Sequence, residues 1–200
     1  MKSFNLAILL SNRSMTDPNL TLTGYGVTLR RLTHDKIEML RQWRNDPKIQ
    51  QYMIYREHIT PEMQEKWFEK INNDNNFYFI IEYEGREVGM INIKDVDYEK
   101  KTGEPGQFMY ADDLLDSDVS MRASLCLMDF VWETLGLESM YIHVVASNKR
   151  ALDYNLLIGY EIVSGYEDEE DLMLDISREK AMNPNPKFIR IKKVLGKISN

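Results

Sequence analysis

Three histidines, one cysteine and a scatter of carboxylates are among the groups in this chain that could move a proton or attack a carbon. His143 stands mid-way along Met140-Tyr-Ile-His-Val-Val-Ala146, where an imidazole could act as a general base or be held as a structural group. Glu104 precedes a predicted strand and could relay a proton through water or sit as a solvated turn carboxylate. Cys126 has no second cysteine to pair with, and its apolar neighbours make it a small buried filler. His34, His58 and His143 are widely spaced, so no cysteine-histidine metal centre is expected.

At 200 residues the chain suits one domain with a single core. Hydrophobic residues make up 43% and charged residues 28%, with ten Gly and six Pro, which is enough apolar material to fold and too little low-complexity sequence for disorder. A net charge of -7 and a pI near 5.1 remove the basic footprint on which nucleic-acid binding depends. The early apolar run from Phe4 to Leu10 is far short of the roughly 20 residues a bilayer requires, and it lacks a small-residue cleavage site. Residues 1–24 therefore read as an N-terminal arm or extra strand, with no membrane role and a cytoplasmic location.

The elements follow from periodicity. Tyr25 to Leu32 alternates as a first strand. Thr33 caps a helix carrying Ile37, Leu40 and Trp43 that Asp46-Pro47 ends. Thr60-Pro61 opens a second helix with Met63, Trp67 and Ile71 on its face. Residues 77–83 and 87–93 form a hairpin around Glu84-Gly85-Arg86, and a third strand is expected around Gln107 to Ala111. Val119 to Leu135 is apolar on more than one side, as in a helix buried against a sheet, and Gly136 suits its C-terminus. A strand at 140–146, a short helix from Asn148 to Leu157 and strands near Tyr160 to Tyr166 and Phe188 complete the order. The acidic then Pro-Asn-rich stretch near 167–187 reads as a solvated insertion. The strand-helix-strand unit in the second half requires parallel neighbours, so the sheet is mixed.

Val-Thr-Leu-Arg-Arg-Leu32, Gln42-Trp-Arg-Asn-Asp-Pro47, Glu84-Gly-Arg-Glu-Val-Gly-Met-Ile-Asn-Ile93, the helix ending Glu133-Thr-Leu-Gly-Leu137, and Asn148-Lys-Arg-Ala151 leading to Ile158-Gly-Tyr160 occur in this order. Together they resemble the GNAT superfamily of acyl-CoA-dependent N-acyltransferases, over about residues 26 to 195. Trp43-Arg44-Asn45 and Tyr110-Ala111 look most like the acetyltransferases of amino-sugar nucleotides; the ribosomal-protein N-terminal acetyltransferases are similar at greater distance. The resemblance implies an α/β (α+β) GNAT fold: a mixed, mostly antiparallel sheet of six to seven strands with a parallel splayed pair and about four helices, as a domain over 25–200. It also implies acetyl-CoA as cosubstrate, its arm lying between the strands near 107–111 and 140–146 as though it were an added strand.

Residue by residue, the resemblance places the arm and thioester oxygen on backbone donors near Met109, Tyr110 and Ala111. The pyrophosphate would sit on the amino end of the central helix, at Ser120, Met121 and Arg122, with Arg150 and Asn148 assisting. The family pattern of Gln or Arg, Gly, and Gly or Ala falls here on Leu115, Asp118 and Ser120. Asp118 is thus expected to bring a negative charge and, as an N-cap, to occupy amides that a ligand needs. The family's tyrosine acid falls on Asn155, with Tyr154 one residue earlier as the candidate catalytic group. Trp43, Arg44, Asn45 and Tyr52 are the candidate acceptor-binding residues. The activity implied is acetyl transfer to a primary amine of a small acceptor, an amino-sugar nucleotide first and a protein N-terminus next, with a homodimer compatible. Asp118 and Asn155 leave open a non-catalytic binding domain of the same fold.

Overall fold

The computed structural model describes residues 17–197. Eight strands form one sheet in the order β1-β2-β3-β4-β5-β6-β8-β7. They are β1 (Thr21–Gly24), β2 (Val27–Arg31), β3 (Phe77–Tyr83), β4 (Arg86–Asp97), β5 (Thr102–Met109), β6 (Ser139–Val145), β7 (Glu161–Ile162) and β8 (Asp171–Ser177). Every neighbouring pair is antiparallel except β5 and β6. Seven helices cover the two faces: α1 (Ile37–Asn45), α2 (Pro47–Gln50), α3 (Pro61–Ile71), α4 (Val119–Asp129), α5 (Lys149–Ile158), α6 (Arg178–Met182) and α7 (Pro186–Gly196). The strand and helix counts exceed the expected six to seven and about four.

The sheet divides two cores. On one face α4, continued by a π-helical turn over Phe130–Thr134, packs its apolar surface on Phe77, Phe79, Ile81, Ile91 and Ile93. On the other, α1 and α3 bury Ile37, Leu40, Trp43, Phe68 and Ile71 against Tyr78, Ile80, Met90 and Phe108. The polar-apolar alternation of the strands thus aims one set of side chains at α4 and the next at α1.

Several expectations are corrected. Residues 21–24 form a strand that pairs with β2 through the turn at Tyr25-Gly26, both at positive φ. The predicted arm at 4–10 lies outside the described residues. The segment taken as a solvated insertion contains β8, whose Leu172, Leu174 and Ile176 are buried. Each such side chain stabilises the fold by roughly 1.5–3 kcal/mol. Phe188 lies in α7 rather than in a strand, because Asn185 caps the amide of Phe188 ahead of a first-turn proline. The strand expected over 160–166 shrinks to Glu161–Ile162. α3 buries Gln64, Phe68 and Ile71, whereas Met63 is exposed.

Candidate active site

β5 and β6 pair through two residues each, Thr102 with Ser139 and Gly103 with Met140, and then part. An antiparallel ladder alternates the edge to which successive residues point their peptide groups. Tyr110 N donates to Val88 O of the β4 strand (2.8 Å), which fixes the phase on one side. Glu104, Gly106 and Phe108 therefore bond β4, while Gln107 and Met109 turn their amides toward the gap. Lys101 O accepts from Ser139 N (3.2 Å), in agreement with that phase. Across the gap, Ala146 N donates to Glu170 O, so Tyr141, His143 and Val145 point their peptide groups at β5. Pro105 takes the first gap-facing position after Gly103 and has no N–H to continue the ladder, which gives the divergence a covalent cause.

Two expected donors are therefore not free. Tyr110 N and Ala111 N both donate to Val88 O, at 2.8 and 3.1 Å, and Tyr110 O accepts from Lys48 Nζ at 2.9 Å. Of the three residues proposed for the arm, Met109 alone keeps an amide on the gap; Gln107, read as the start of the strand, supplies a second.

At the amino end of α4, Asp118 does not cap the helix. Its carboxylate accepts from Arg122 Nε (2.6 Å) and Nη2 (2.8 Å), and Arg122 Nη1 donates to Tyr25 O (2.9 Å). This corrects the expectation that Asp118 occupies the first amides, and it commits Arg122 to the protein itself. Among the described residues no acceptor faces the amides of Ser120 or Met121, which remain open at the positive end of the helix dipole. Arg150 pairs with Asp116 at 3.2 Å near this end. Asn148 Oδ1 accepts from Ala151 N (3.1 Å) and so caps α5.

Between α4 and α5 lies a hydrogen-bonded ring. Gln107 Nε2 donates to Ser120 O (3.2 Å), Ser124 Oγ donates to Gln107 Oε1 (2.8 Å), and Tyr154 Oη lies 2.7 Å from Ser124 Oγ and 3.1 Å from Ser120 O. Ser120 O can only accept, so the Tyr154 hydroxyl donates to it, while Ser124 donates to Gln107. Burial pushes the Tyr154 phenol up, which keeps it protonated at neutral pH. Asn155, at the family's tyrosine position, instead donates its side-chain amide to Ala151 O of its own helix (2.8 Å). The sequence signal for the ring is Ser120 and Ser124, four apart and so on one face of α4.

On the opposite face, Trp43 is buried and stacked on Tyr110, with ring centres 4.8 Å apart. Asn45 holds Ile59 by both backbone groups, its Nδ2 donating to Ile59 O and its Oδ1 accepting from Ile59 N (each 2.8 Å). These two residues shape the wall, whereas Arg44 has no hydrogen-bond partner among the described residues and its Nε is buried. Tyr52 is 55% exposed in the connection between α2 and α3. A depression of about 420 Å³ lined by Arg41, Gln42, Asn45, Asp46, Pro47 and His58 takes no lining residue from β5 or β6. Glu104 lies within β5 and pairs with Lys94 at 2.7 Å, and His143 Nδ1 lies 3.0 Å from Asp171 Oδ2. The described residues hold no cluster of metal-ligating side chains, and no helix among them is long and apolar enough to cross a membrane.

A family model described as an acetyltransferase (GNAT) domain matches residues 27–153. The chain belongs to this family. The GNAT domain is an acyltransferase by that membership, and the splayed β5–β6 pair is its structural mark here. Spermidine N(1)-acetyltransferase of Escherichia coli K12 is 18% identical over 141 residues, covering 70% of this chain and 75% of that protein. Among solved structures, spermidine N-acetyltransferase from Vibrio cholerae in complex with CoA and spermine superposes with a TM-score of 0.68 at 18% identity, over 79% of this chain and 99% of that one. A domain from Methanocaldococcus jannaschii gives 0.65 at 18% identity, over 76% and 97%. The Vibrio cholerae enzyme is also known as a dodecamer. At such identities the structural likeness is one of fold.

Proposed function

We propose that this GNAT domain transfers the acetyl group of acetyl-CoA to the primary amine of a small acceptor. The observation that carries the reading is the early parting of β5 and β6. It leaves peptide groups of Gln107 and Met109 facing those of Tyr141 and His143, as an added strand-like arm requires. The cosubstrate supplies an activated acyl carbon and a thiolate leaving group. The amides of Ser120 and Met121 would hold its pyrophosphate, aided by Lys149 and by Arg150 once it leaves Asp116. Tyr154, protonated and wired to Ser124, would return a proton to the departing sulfur. Trp43 and Asn45 act as positioning residues, while Arg44 and Tyr52 face the acceptor. A cytoplasmic location and self-association belong to the same proposal.

The acceptor is kept at the level of a small amine. The relatives' names carry spermidine rather than an amino-sugar nucleotide, so they lend no support to the latter. The test is thermal shift with acetyl-CoA, followed by thiol release over a panel of amines. Stabilisation with turnover supports the reading; no stabilisation at saturating acetyl-CoA overturns it.

A further inference from the structure

Tyr110 follows Met109, whose amide borders the gap, and it is gripped by three residues of the corner between α1 and α2. Trp43, in the last turn of α1, stacks on its ring with centres 4.8 Å apart. Asp46, which caps α2 by accepting from Lys48 N (3.0 Å), also accepts from Tyr110 Oη (3.4 Å). Lys48 has the tightest hold. Its Nζ donates to Tyr110 O (2.9 Å), meets both carboxylate oxygens of Asp112 (2.9 and 3.0 Å), and lies 4.0 Å from the centre of the Tyr110 ring.

This end of β5 needs a second hold. Beyond Gly103 the strand has lost β6 and is paired with β4 alone, the last registered pair being Gly89 with Met109. A strand bonded along one edge leaves the peptide groups of its other edge with no ladder to fix them. Past Met109 the regular ladder also stops, since Tyr110 N and Ala111 N share Val88 O. The bond from Lys48 holds the next carbonyl, so the peptide groups on both sides of the Tyr110 Cα are fixed, one by β4 and the other by α2. Met109 is the covalent neighbour of that clamped residue, and the direction of its amide follows. The three hydrogens of the Lys48 ammonium are matched by Tyr110 O and the two Asp112 oxygens, so this group acts through Tyr110 and keeps no donor for a substrate.

We infer that Lys48 is a positioning residue for the acetyl-CoA arm, holding the Met109 amide on the gap through Tyr110. Tyr110 then serves the site as a strut rather than as a donor to the arm. A displacement of about 1 Å at a binding group is enough to cost function, so a residue that locks such a group in place contributes to binding without touching the ligand. The inference rests on the acetyl-transfer reading and adds to it a residue that the substrate does not contact.

The experiment measures CoA affinity by calorimetry, and thiol release from acetyl-CoA with an amine that turns over, for the native chain and for Lys48→Met, which keeps most of the stem and removes the ammonium. The CoA Kd and the acetyl-CoA KM are expected to rise about fivefold to tenfold, while the KM of the amine stays within about twofold. Lys192→Met breaks the ion pair with Asp129 (3.5 Å) at the far end of α4 and serves as the control for lost stability; both constants are expected to stay at the native values. Should Lys48→Met fail to fold, Asp112→Asn frees the ammonium from one anchor and decides by the same two constants, which are expected to rise about threefold. Unchanged constants in the Lys48 variant, a rise in the amine KM alone, or an equal rise in Lys192→Met overturns the inference and leaves acetyl transfer standing. A native chain that shows neither turnover nor a thermal shift with acetyl-CoA overturns the two together.

Discussion

Asp118 and Arg122, one helical turn apart, form a two-pronged ion pair with contacts of 2.6 and 2.8 Å, and this pair draws the carboxylate away from the first amides of α4. The arginine side chain is 8% exposed and its carboxylate partner 48%, so loss of the aspartate strands a largely buried charge. Asp118→Ala is expected to lower unfolding free energy by about 1–3 kcal/mol in a urea titration. The double variant with Arg122→Met should recover part of that loss; strict additivity would show the two residues to be uncoupled.

Tyr154 donates within the ring that joins α4, α5 and β5. Replacing it with Phe keeps the ring packing and removes the proton. The expected result is a fall in kcat of about 10²-fold with little change in the acetyl-CoA KM. An unchanged kcat would return Tyr154 to a packing role.

Gly89 lies opposite Met109, and a Cβ there would meet Phe108 O at 2.5 Å. Backbone cannot yield as a side-chain tip can. Gly89→Ala is expected to cost about 1–3 kcal/mol of stability and to weaken acetyl-CoA binding by moving the Met109 amide, as read by denaturant midpoint and calorimetry.

Burial pushes the Cys126 thiol from 9.0 to about 12, with Asp129 adding to the shift. The native protein is therefore expected to resist thiol reagents at pH 8 and to react once unfolded. The sign of the linked stability follows: the group is neutral in both states below pH 9, and above it the unfolded chain loses its proton first. Stability is thus lost between about pH 9 and 12. Cys126→Ala should flatten that alkaline decline in thermal melts taken from pH 8 to 11.

Long periodic elements were legible in the sequence. The hairpin of β3 and β4, the buried α4 and the Asn148 cap all lie where residue spacing puts them. β8 escaped because Glu167-Asp-Glu-Glu-Asp171 reads as a solvated face, although the Leu172, Leu174 and Ile176 that follow alternate correctly for a half-buried strand. The α3 face was misplaced by one residue because Gln64 is polar yet buried, its Nε2 donating to Ile37 O at 3.1 Å. The site was less legible than the fold. Which amides border the gap depends on ladder phase, which no residue type announces. The pairing of Asp118 with Arg122 was visible as an i, i+4 spacing but was outweighed by the expectation of a cap.

Pro105 makes the break in the sheet permanent. A missing hydrogen that no rotation restores cannot be regained by thermal breathing, so the ladder hydrogen bond that an N–H at this position would donate to β6 is never formed. At the proposed cosubstrate site, a gap held open in this way would spare an entering arm the cost of parting the strands there.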